Sequence, residues 1–275
     1  MRFLEQYTYL YQTLLDRTPE AQEIEDIKRN LGAVPALNVA QAILSSAEYI
    51  SRGLDHSLEI HLSLIHQARV KLVSSLLPKA DLIVDIGGAN GNLYDMGYPH
   101  FFRELTIIDL PDQARCDLYK GLKLEARVLP FGRITVLYTN ATDLSSIPGA
   151  SVDMVWMGQV IEHVTEEESF QVYSEVKRIL RHGGHFCLDT PNRNLTEIHT
   201  KGWIHPEHKI EYYPAHLRKN LSRAGFRIER ELGVCEMLES WRTKTFAYSD
   251  FFLGGGISPH VDGCYIQYYD CTVER

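Results

Sequence analysis

Two segments of this chain carry the residue types needed to take a proton from a hydroxyl group. Gln159, Glu162 and His163 are spaced at i, i+3 and i+4, so a helical turn there would put them on one face. A second segment adds three histidines: His199, His205 and His208. Three interpretations stay open. His163 or His208, with an ordinary imidazole pKa of about 6.5, could act as a general base. Glu162, His163 and His208 could bind a cation that acidifies the hydroxyl, or Glu162 and His163 could form a purely structural pair.

A strand, a glycine-rich turn and a second strand precede these segments. Residues 82–86 form an apolar strand that runs into the turn, as expected where a backbone approaches a ligand. The second strand ends at Asp109, whose carboxylate can accept hydrogen bonds from both ribose hydroxyls of an adenosine ligand. A dinucleotide fingerprint aligned at Gly87 would need glycine at Ala89 and Asn92. The turn therefore argues against a nicotinamide-dependent oxidoreductase.

The same turn matches the pattern D-x-G-x-G-x-G at Asp85, Gly87 and Gly91, with Ala89 in place of the middle glycine. Together with the later block VDMVWMGQVIEHV, it resembles the class I S-adenosylmethionine-dependent methyltransferases of the type 11/12 group. The resemblance covers about residues 82–275. It implies an α/β fold, a Rossmann-like seven-stranded mostly parallel sheet with helices on both faces, in which CYIQYYDCTV is an antiparallel strand.

The resemblance also implies S-adenosylmethionine as the cofactor. The residues expected to bind it are Asp85, Gly87, Gly88, Ala89, Gly91, Asp109, Leu110, Asn140, Ala141 and Gln159. Asn140 stands where the family usually has an acid that reads the adenine edge, and its side-chain carbonyl can accept from the adenine amino group. An aromatic-rich segment at residues 237–262 is expected to cover the acceptor pocket.

The Gln-x-x-Glu-His spacing and the later His-Lys-Ile-Glu resemble metal-dependent O-methyltransferases of ubiquinone biosynthesis and of small-RNA ends. This resemblance implies a divalent cation such as Mg²⁺ on Glu162, His163 and His208. Those enzymes have Glu at the first position, where this chain has Gln159, so one ligand charge is absent.

Residues 1–55 are predicted to form a helical module that precedes a methyltransferase domain at 56–275. Apolar spacing and the helix-start residues Thr18, Pro19 and Glu20 predict helices at about 3–16, 18–31, 35–51 and 58–77. The Leu-Asp-Arg-Thr-Pro and Ser-Ala-Glu-Tyr blocks resemble a module of bacterial proteins linked to cell-surface glycans. We therefore expect an O-methyltransferase acting on a sugar or glycan hydroxyl. The alternatives are a phenol or polyketide acceptor and a non-catalytic cofactor-binding protein.

The charge balance argues against a polyanionic partner. The chain has 28 Lys and Arg against 36 Asp and Glu, a net charge of −8, and no basic stripe suited to nucleic acid or anionic lipid. No apolar run reaches the length of a membrane span, and the N-terminus does not resemble a signal peptide. The 5 cysteines are widely spaced and are predicted to be reduced. We expect a cytoplasmic protein, and a homodimer would be one way to cover the apolar faces of its N-terminal helices.

Overall fold

The computed structural model describes residues 8, 10–12, 15, 17–29, 43, 54–88, 93–115, 120–121, 124–247, 250–253 and 256–273. The helices within these residues are α1 (Ala21–Arg29), α2 (Leu54–Leu76), α3 (Glu166–Ile179), α4 (Arg193–His199), α5 (Pro214–Arg223), α6 (Leu238–Thr243) and α7 (Asp250–Leu253). The strands are β1 (Leu82–Ile86), β2 (Glu104–Asp109), β3 (Arg127–Leu129), β4 (Gly132–Tyr138), β5 (Val152–Gly158), β6 (Leu180–Pro191), β7 (Phe226–Glu236), β8 (Ile257–Ser258) and β9 (Cys264–Val273).

The strands form one mixed sheet in the order β3-β4-β2-β1-β5-β6-β9-β7-β8. Strands β4, β2, β1, β5 and β6 are parallel, and β9 runs antiparallel to both β6 and β7. This confirms the predicted Rossmann-like α/β fold and its antiparallel last strand. The sheet has two strands more than the predicted seven, because the short strands β3 and β8 pair antiparallel at its two edges.

The strand order places a crevice beside β1. From β1 the sheet extends one way through β2 and β4 and the other way through β5 and β6. In such open sheets, ligands bind at the carboxyl ends of the strands where the order reverses. The turns that follow β1, β2, β4 and β5 all lie at that edge, since these strands are parallel.

The central strands are buried because helices cover both faces of the sheet. Along β5, Met154 and Trp156 pack in one apolar cluster with Leu72 of α2. The intervening Val155 packs in the opposite cluster with Tyr173 of α3. This alternation is the period of two expected of a strand whose two faces are both covered. Packing in these two clusters, one on each face of the sheet, holds the strand ends in fixed positions relative to each other.

The described helices agree with the sequence patterns. Helix α1 lies within the predicted helix at 18–31, and α2 begins at Leu54, slightly before the predicted start. Helix α3 starts at a capping box, in which the side chains of Thr165 and Glu168 each accept from the other's backbone amide. The predicted helices at 3–16 and 35–51 lie almost entirely outside the described residues. Among the helices that the structure describes, none is long and apolar enough to cross a membrane.

Candidate active site

The turn after β1 has no room for a side chain at two of its positions, Gly87 and Gly88. Gly87 has a φ of +72°, which glycine adopts without strain, and a Cβ there would collide with Val160. A Cβ at Gly88 would lie 2.7 Å from Asp85 Oδ2, so the carboxylate lies directly against this glycine. Two further predicted cofactor contacts in this loop are outside the described residues: Ala89 and Gly91.

The carboxyl group of Asp85 is buried at the base of the turn, with 1% of the residue exposed. Its Oδ2 accepts a hydrogen bond of 2.7 Å from the Leu93 amide, whereas Oδ1 has no hydrogen-bond partner among the described residues. Burial raises the pKa of Asp85 to about 7. Buried polar atoms in proteins are nearly always paired, so an unpaired oxygen here fits a site that a ligand completes.

Asp109 and Leu110 lie at the end of β2, next to this turn. The Leu110 amide donates a 2.7 Å hydrogen bond to Asp109 Oδ1, and Arg115 Nε lies 3.3 Å from the same oxygen. The residues that follow line a cavity of about 560 Å³, whose walls include Pro111, Arg115 and Tyr138. Small-molecule sites have volumes of this order. The carboxylate is thus held in place, and the cavity is lined by residues that follow Asp109 in the chain rather than by Asp109 itself.

Asn140 and Ala141 follow β4 and are linked to the same edge, because the Thr139 amide donates to the Asp109 carbonyl at 2.9 Å. Asn140 Oδ1 accepts two hydrogen bonds of 3.0 Å from Thr142, one from the backbone amide and one from the hydroxyl. Asn140 Oδ1, which we predicted to accept from the adenine amino group, is therefore already hydrogen-bonded within this turn. The side-chain nitrogen of the exposed Asn140 remains available to a ligand.

Gln159 lies outside the helical turn that holds Glu162 and His163. It has a φ of +57° and precedes a short 3-10 helix at Ile161–His163, so the helical turn begins after it. Its Nε2 donates to Asp189 Oδ1 at 3.2 Å, and Asp189 Oδ2 accepts a 2.6 Å hydrogen bond from Arg69 Nε. The predicted shared face is therefore wrong, and Gln159 belongs to a network with Arg69 and Asp189.

Glu162 is fully buried beside the second histidine-containing segment. Thr190 Oγ1 donates to its Oε2 at 2.9 Å, and its Oε1 has no hydrogen-bond partner in the described part of the chain. Burial raises the pKa of Glu162 to about 7. The amides of Lys209 and Ile210 donate to its backbone carbonyl at 2.8 and 3.2 Å, which ties the 3-10 helix to the segment that carries His208.

Three imidazoles come together next to Glu162. One ring nitrogen from each of His163, His205 and His208 lies within 4.8 Å of the other two. Burial, reinforced by the neighbouring His208 and His205, lowers the pKa of His163 to about 4. The prediction of an imidazole with an ordinary pKa is therefore wrong for His163. His205 joins the predicted His163 and His208, although the sequence had not assigned it as a ligand.

The fourth histidine of interest, His199, does not join this cluster. Its Nδ1 lies 2.8 Å from the Tyr265 hydroxyl, and its ring stacks on Phe246 with centroids 3.9 Å apart. Phe246 belongs to the aromatic-rich segment at 237–262, so His199 packs against that segment. Burial lowers the pKa of His199 to about 4.

The sequence patterns did not point to Glu211 as a functional residue. Its Oε1 lies 2.8 Å from His208 Nδ1, which favours a proton on that nitrogen and leaves Nε2 for a ligand or a proton. Arg193 Nη1 at 3.3 Å and the Ile204 amide at 2.7 Å hold Glu211 in turn. The signal was present in the His-Lys-Ile-Glu block, where the two side chains are three residues apart.

Comparison with known proteins identifies a methyltransferase domain in the part of the chain that carries the glycine turn. Residues 84–188 match the family model described as a methyltransferase domain. A "Probable S-adenosylmethionine-dependent methyltransferase" of Mycolicibacterium smegmatis is 38% identical over 104 residues, which are 38% of this chain and 39% of that protein. A similarly described protein of Mycobacterium tuberculosis is 35% identical over 35% of this chain and 34% of that protein. The matched region thus spans less than half the length of these relatives.

Solved structures show that this chain shares its fold with other proteins. An S-adenosylmethionine-dependent methyltransferase of Thermotoga maritima, described as a "possible histamine N-methyltransferase", has a TM-score of 0.53 at 14% identity and covers 79% of this chain and 93% of its own. A small RNA methyltransferase has a TM-score of 0.52 at 17% identity and covers 78% of this chain and 25% of its own. The family-model match and the curated relatives confirm the predicted S-adenosylmethionine-dependent methyltransferase domain, and the solved structures confirm its fold. The glycan-associated nature of residues 1–55 stays a prediction.

Proposed function

We propose that this chain, which contains a class I methyltransferase domain, is an S-adenosylmethionine-dependent O-methyltransferase that acts on a hydroxyl of a sugar or glycan. The observation that carries the cofactor assignment is the glycine turn over buried Asp85, with Asp109 at the adjacent strand end. The residues fit the cofactor, because Gly88 lets the backbone lie directly against the Asp85 carboxyl group and Asp85 Oδ1 lacks a partner among the described residues.

The bound cofactor supplies a methyl group on a sulfonium, which an oxygen nucleophile displaces in line. The protein has to hold the adenosine, position the acceptor and accept its proton. Asp109 accepts from the ribose hydroxyls. His163, with its pKa lowered to about 4, is neutral at physiological pH and has a ring nitrogen with a lone pair, but a pKa this far below the operating pH makes it a weak general base.

A cation at the histidine cluster is the second version of the proton chemistry. His163, His205 and His208 offer three nitrogens that lie within 4.8 Å of one another, whereas the predicted ligand Glu162 is not part of that cluster. Three imidazole nitrogens suit a divalent cation that acidifies the acceptor hydroxyl. Nitrogen donors favour Zn²⁺ or Mn²⁺ over Mg²⁺, which prefers oxygen ligands.

His205 distinguishes these two versions, because a metal-free base needs His163 but not His205. If a cation is used, chelation and His205→Ala each abolish turnover, and Zn²⁺ or Mn²⁺ restores only the chelated wild type. If His163 acts alone, chelator and His205→Ala leave turnover largely intact, whereas His163→Ala removes it. His182→Ala, at an exposed histidine, is the matched control. Full activity of His163→Ala would refute both versions.

Two features support a sugar or glycan acceptor. The N-terminal blocks resemble a glycan-associated module, and Trp203 and Tyr213, which flank the histidine segment, are each 42% exposed. The Arg193 guanidinium lies 4.7 Å over the Trp203 ring. Exposed aromatic rings combine an apolar face with a polar edge, which suits the mixed surface of a sugar. A phenol or polyketide would use the same rings, and a non-catalytic protein would bind cofactor without transferring methyl.

Mass spectrometry of the purified full chain tests this function. We expect bound S-adenosylmethionine or S-adenosylhomocysteine and then a gain of one methyl on sugar nucleotides or glycans. Methylation of phenols but not sugars would refute the acceptor class, and binding without transfer to any hydroxyl would refute catalysis.

We also propose a cytoplasmic location, which suits the free and buried thiols of Cys187, Cys235, Cys264 and Cys271. A homodimer is proposed as well, and sedimentation velocity tests it.

A further inference from the structure

Arg69 on α2 presents a guanidinium group that is only partly used. Its side chain is 13% exposed, and its Nε donates to Asp189, whose side chain is fully buried. Its Nη2 lies directly against Gly158, since a Cβ on that glycine would collide with it. Neither Nη1 nor Nη2 donates a hydrogen bond to any residue in the described part of the chain. Arg69 therefore keeps a pair of donors within a largely buried site.

These donors lie on one side of the glycine turn, and Asp109 lies on the other. Strand β5 pairs with β1 so that Met157 is opposite Ile86, which puts Gly158 alongside Gly87. Asp109 ends β2, the neighbour of β1 on the opposite side. A ligand whose ribose meets Asp109 and which crosses the turn therefore brings its far end to Arg69. The far end of the proposed cofactor is an amino acid with a free carboxylate.

We propose that Arg69 binds the carboxylate of the cofactor's amino-acid end through Nη1 and Nη2, an assignment that rests on the proposed function. A guanidinium presents two parallel donors that match the two oxygens of a carboxylate. Asp189 acts as a positioning residue, because its bond to Nε orients the fork and leaves the Nη edge for the ligand. Gly158 is required because any side chain would occupy the place of the guanidinium.

Paired ligands that differ only in this carboxylate test the assignment. The full-length chain is titrated by calorimetry with S-adenosylhomocysteine and with its decarboxylated analogue, which keeps the adenosine, the sulfur and the amine. Arg69→Lys retains a cation beside Asp189 but loses the fork, and Arg69→Gln removes the charge. We expect both variants to weaken S-adenosylhomocysteine binding by roughly tenfold to a hundredfold and to leave the affinity for the decarboxylated analogue unchanged.

A control arginine, Arg181, lies at the start of β6, whereas Asp189 lies near the end of that strand. Arg181 Nη1 pairs with the buried Asp153 at 2.7 Å, so Arg181→Gln breaks an equivalent ion pair away from the turn. This variant should bind both ligands as the wild type does. Thermal unfolding checks that each variant is folded, and if Arg69→Gln is not, Arg69→Lys decides.

The results distinguish a failure of the Arg69 assignment from a failure of the proposed function. Selective loss of S-adenosylhomocysteine supports the role of Arg69. Equal weakening of both ligands, or no weakening of either, overturns it and leaves the Arg69–Asp189 pair as a structural contact. A wild-type protein that binds neither ligand refutes the proposed function itself.

Discussion

The buried carboxyl group of Glu162 should make the stability of the cation-free protein depend on pH. Burial raises its pKa from the ordinary 4.5 to about 7 in the folded state. A raised pKa means that the folded state holds the proton more tightly than the unfolded state. The stability that Glu162 contributes is therefore fully present below pH 4.5 and is lost as the pH rises through about 7.

Glu162→Gln replaces the carboxyl by a neutral group of the same shape and removes this dependence. Each pH unit between the two pKa values is worth about 1.4 kcal/mol, so the window from 4.5 to about 7 corresponds to roughly 3 kcal/mol. At low pH, where Glu162 is protonated in both states, the variant and the wild type should have similar free energies of unfolding. Above pH 7 the variant should be more stable by about 2–3 kcal/mol.

Urea denaturation in the presence of chelator, at several pH values between about 4.5 and 8, measures this difference. Glu167→Gln is the matched control, because it removes the same charge from an exposed neighbouring side chain. Its difference from the wild type should stay small throughout. If the free energies of unfolding of Glu162→Gln and the wild type run parallel with pH, the buried carboxyl is not protonated in the folded state and the reasoning fails.

Three further changes have expected outcomes. Asp109→Ala should weaken S-adenosylhomocysteine binding by roughly tenfold to a hundredfold, because the ribose hydroxyls lose their acceptor, and unchanged affinity in calorimetry would contradict the site. Gly87→Ala should lower the melting temperature, because φ is +72° and the methyl collides with Val160; an unchanged melting temperature would show that the turn relaxes freely. Thr165→Ala should cost about 1 kcal/mol in urea denaturation, because the capping box of α3 is lost, and a cost near zero would argue against that cap.

The sequence by itself determined how the proposed cofactor side of the site is built. An apolar strand, a glycine turn and a second strand ending in an acid are local patterns, and the strand bounds Leu82–Ile86 match the prediction. Parallel neighbours bring their carboxyl ends to one edge, so the order of these patterns along the chain is enough to place Asp85 and Asp109 together. The resemblance to a known family supplied the mostly parallel sheet and its antiparallel strand, while the strand order came from the structure.

Only the tertiary structure decided how the acceptor side is arranged. The i, i+3, i+4 spacing predicted a shared face, but the left-handed backbone at Gln159 and the 3-10 helix that follows it send its side chain to Asp189. Side-chain direction after a strand end depends on packing against distant segments, and spacing does not encode it.

Residue spacing also does not predict contacts between segments far apart in the sequence, or the pKa values of buried side chains. Arg69 and Asp189 are 120 residues apart in sequence, and their hydrogen bond exists because α2 packs on the face of the sheet beside β5 and β6. The pKa of His163 falls to about 4 because the fold buries its ring beside two other imidazoles. The sequence supplied these chemical groups, while their burial and their neighbours, which set what each group can do, came from the packing of segments far apart in the chain.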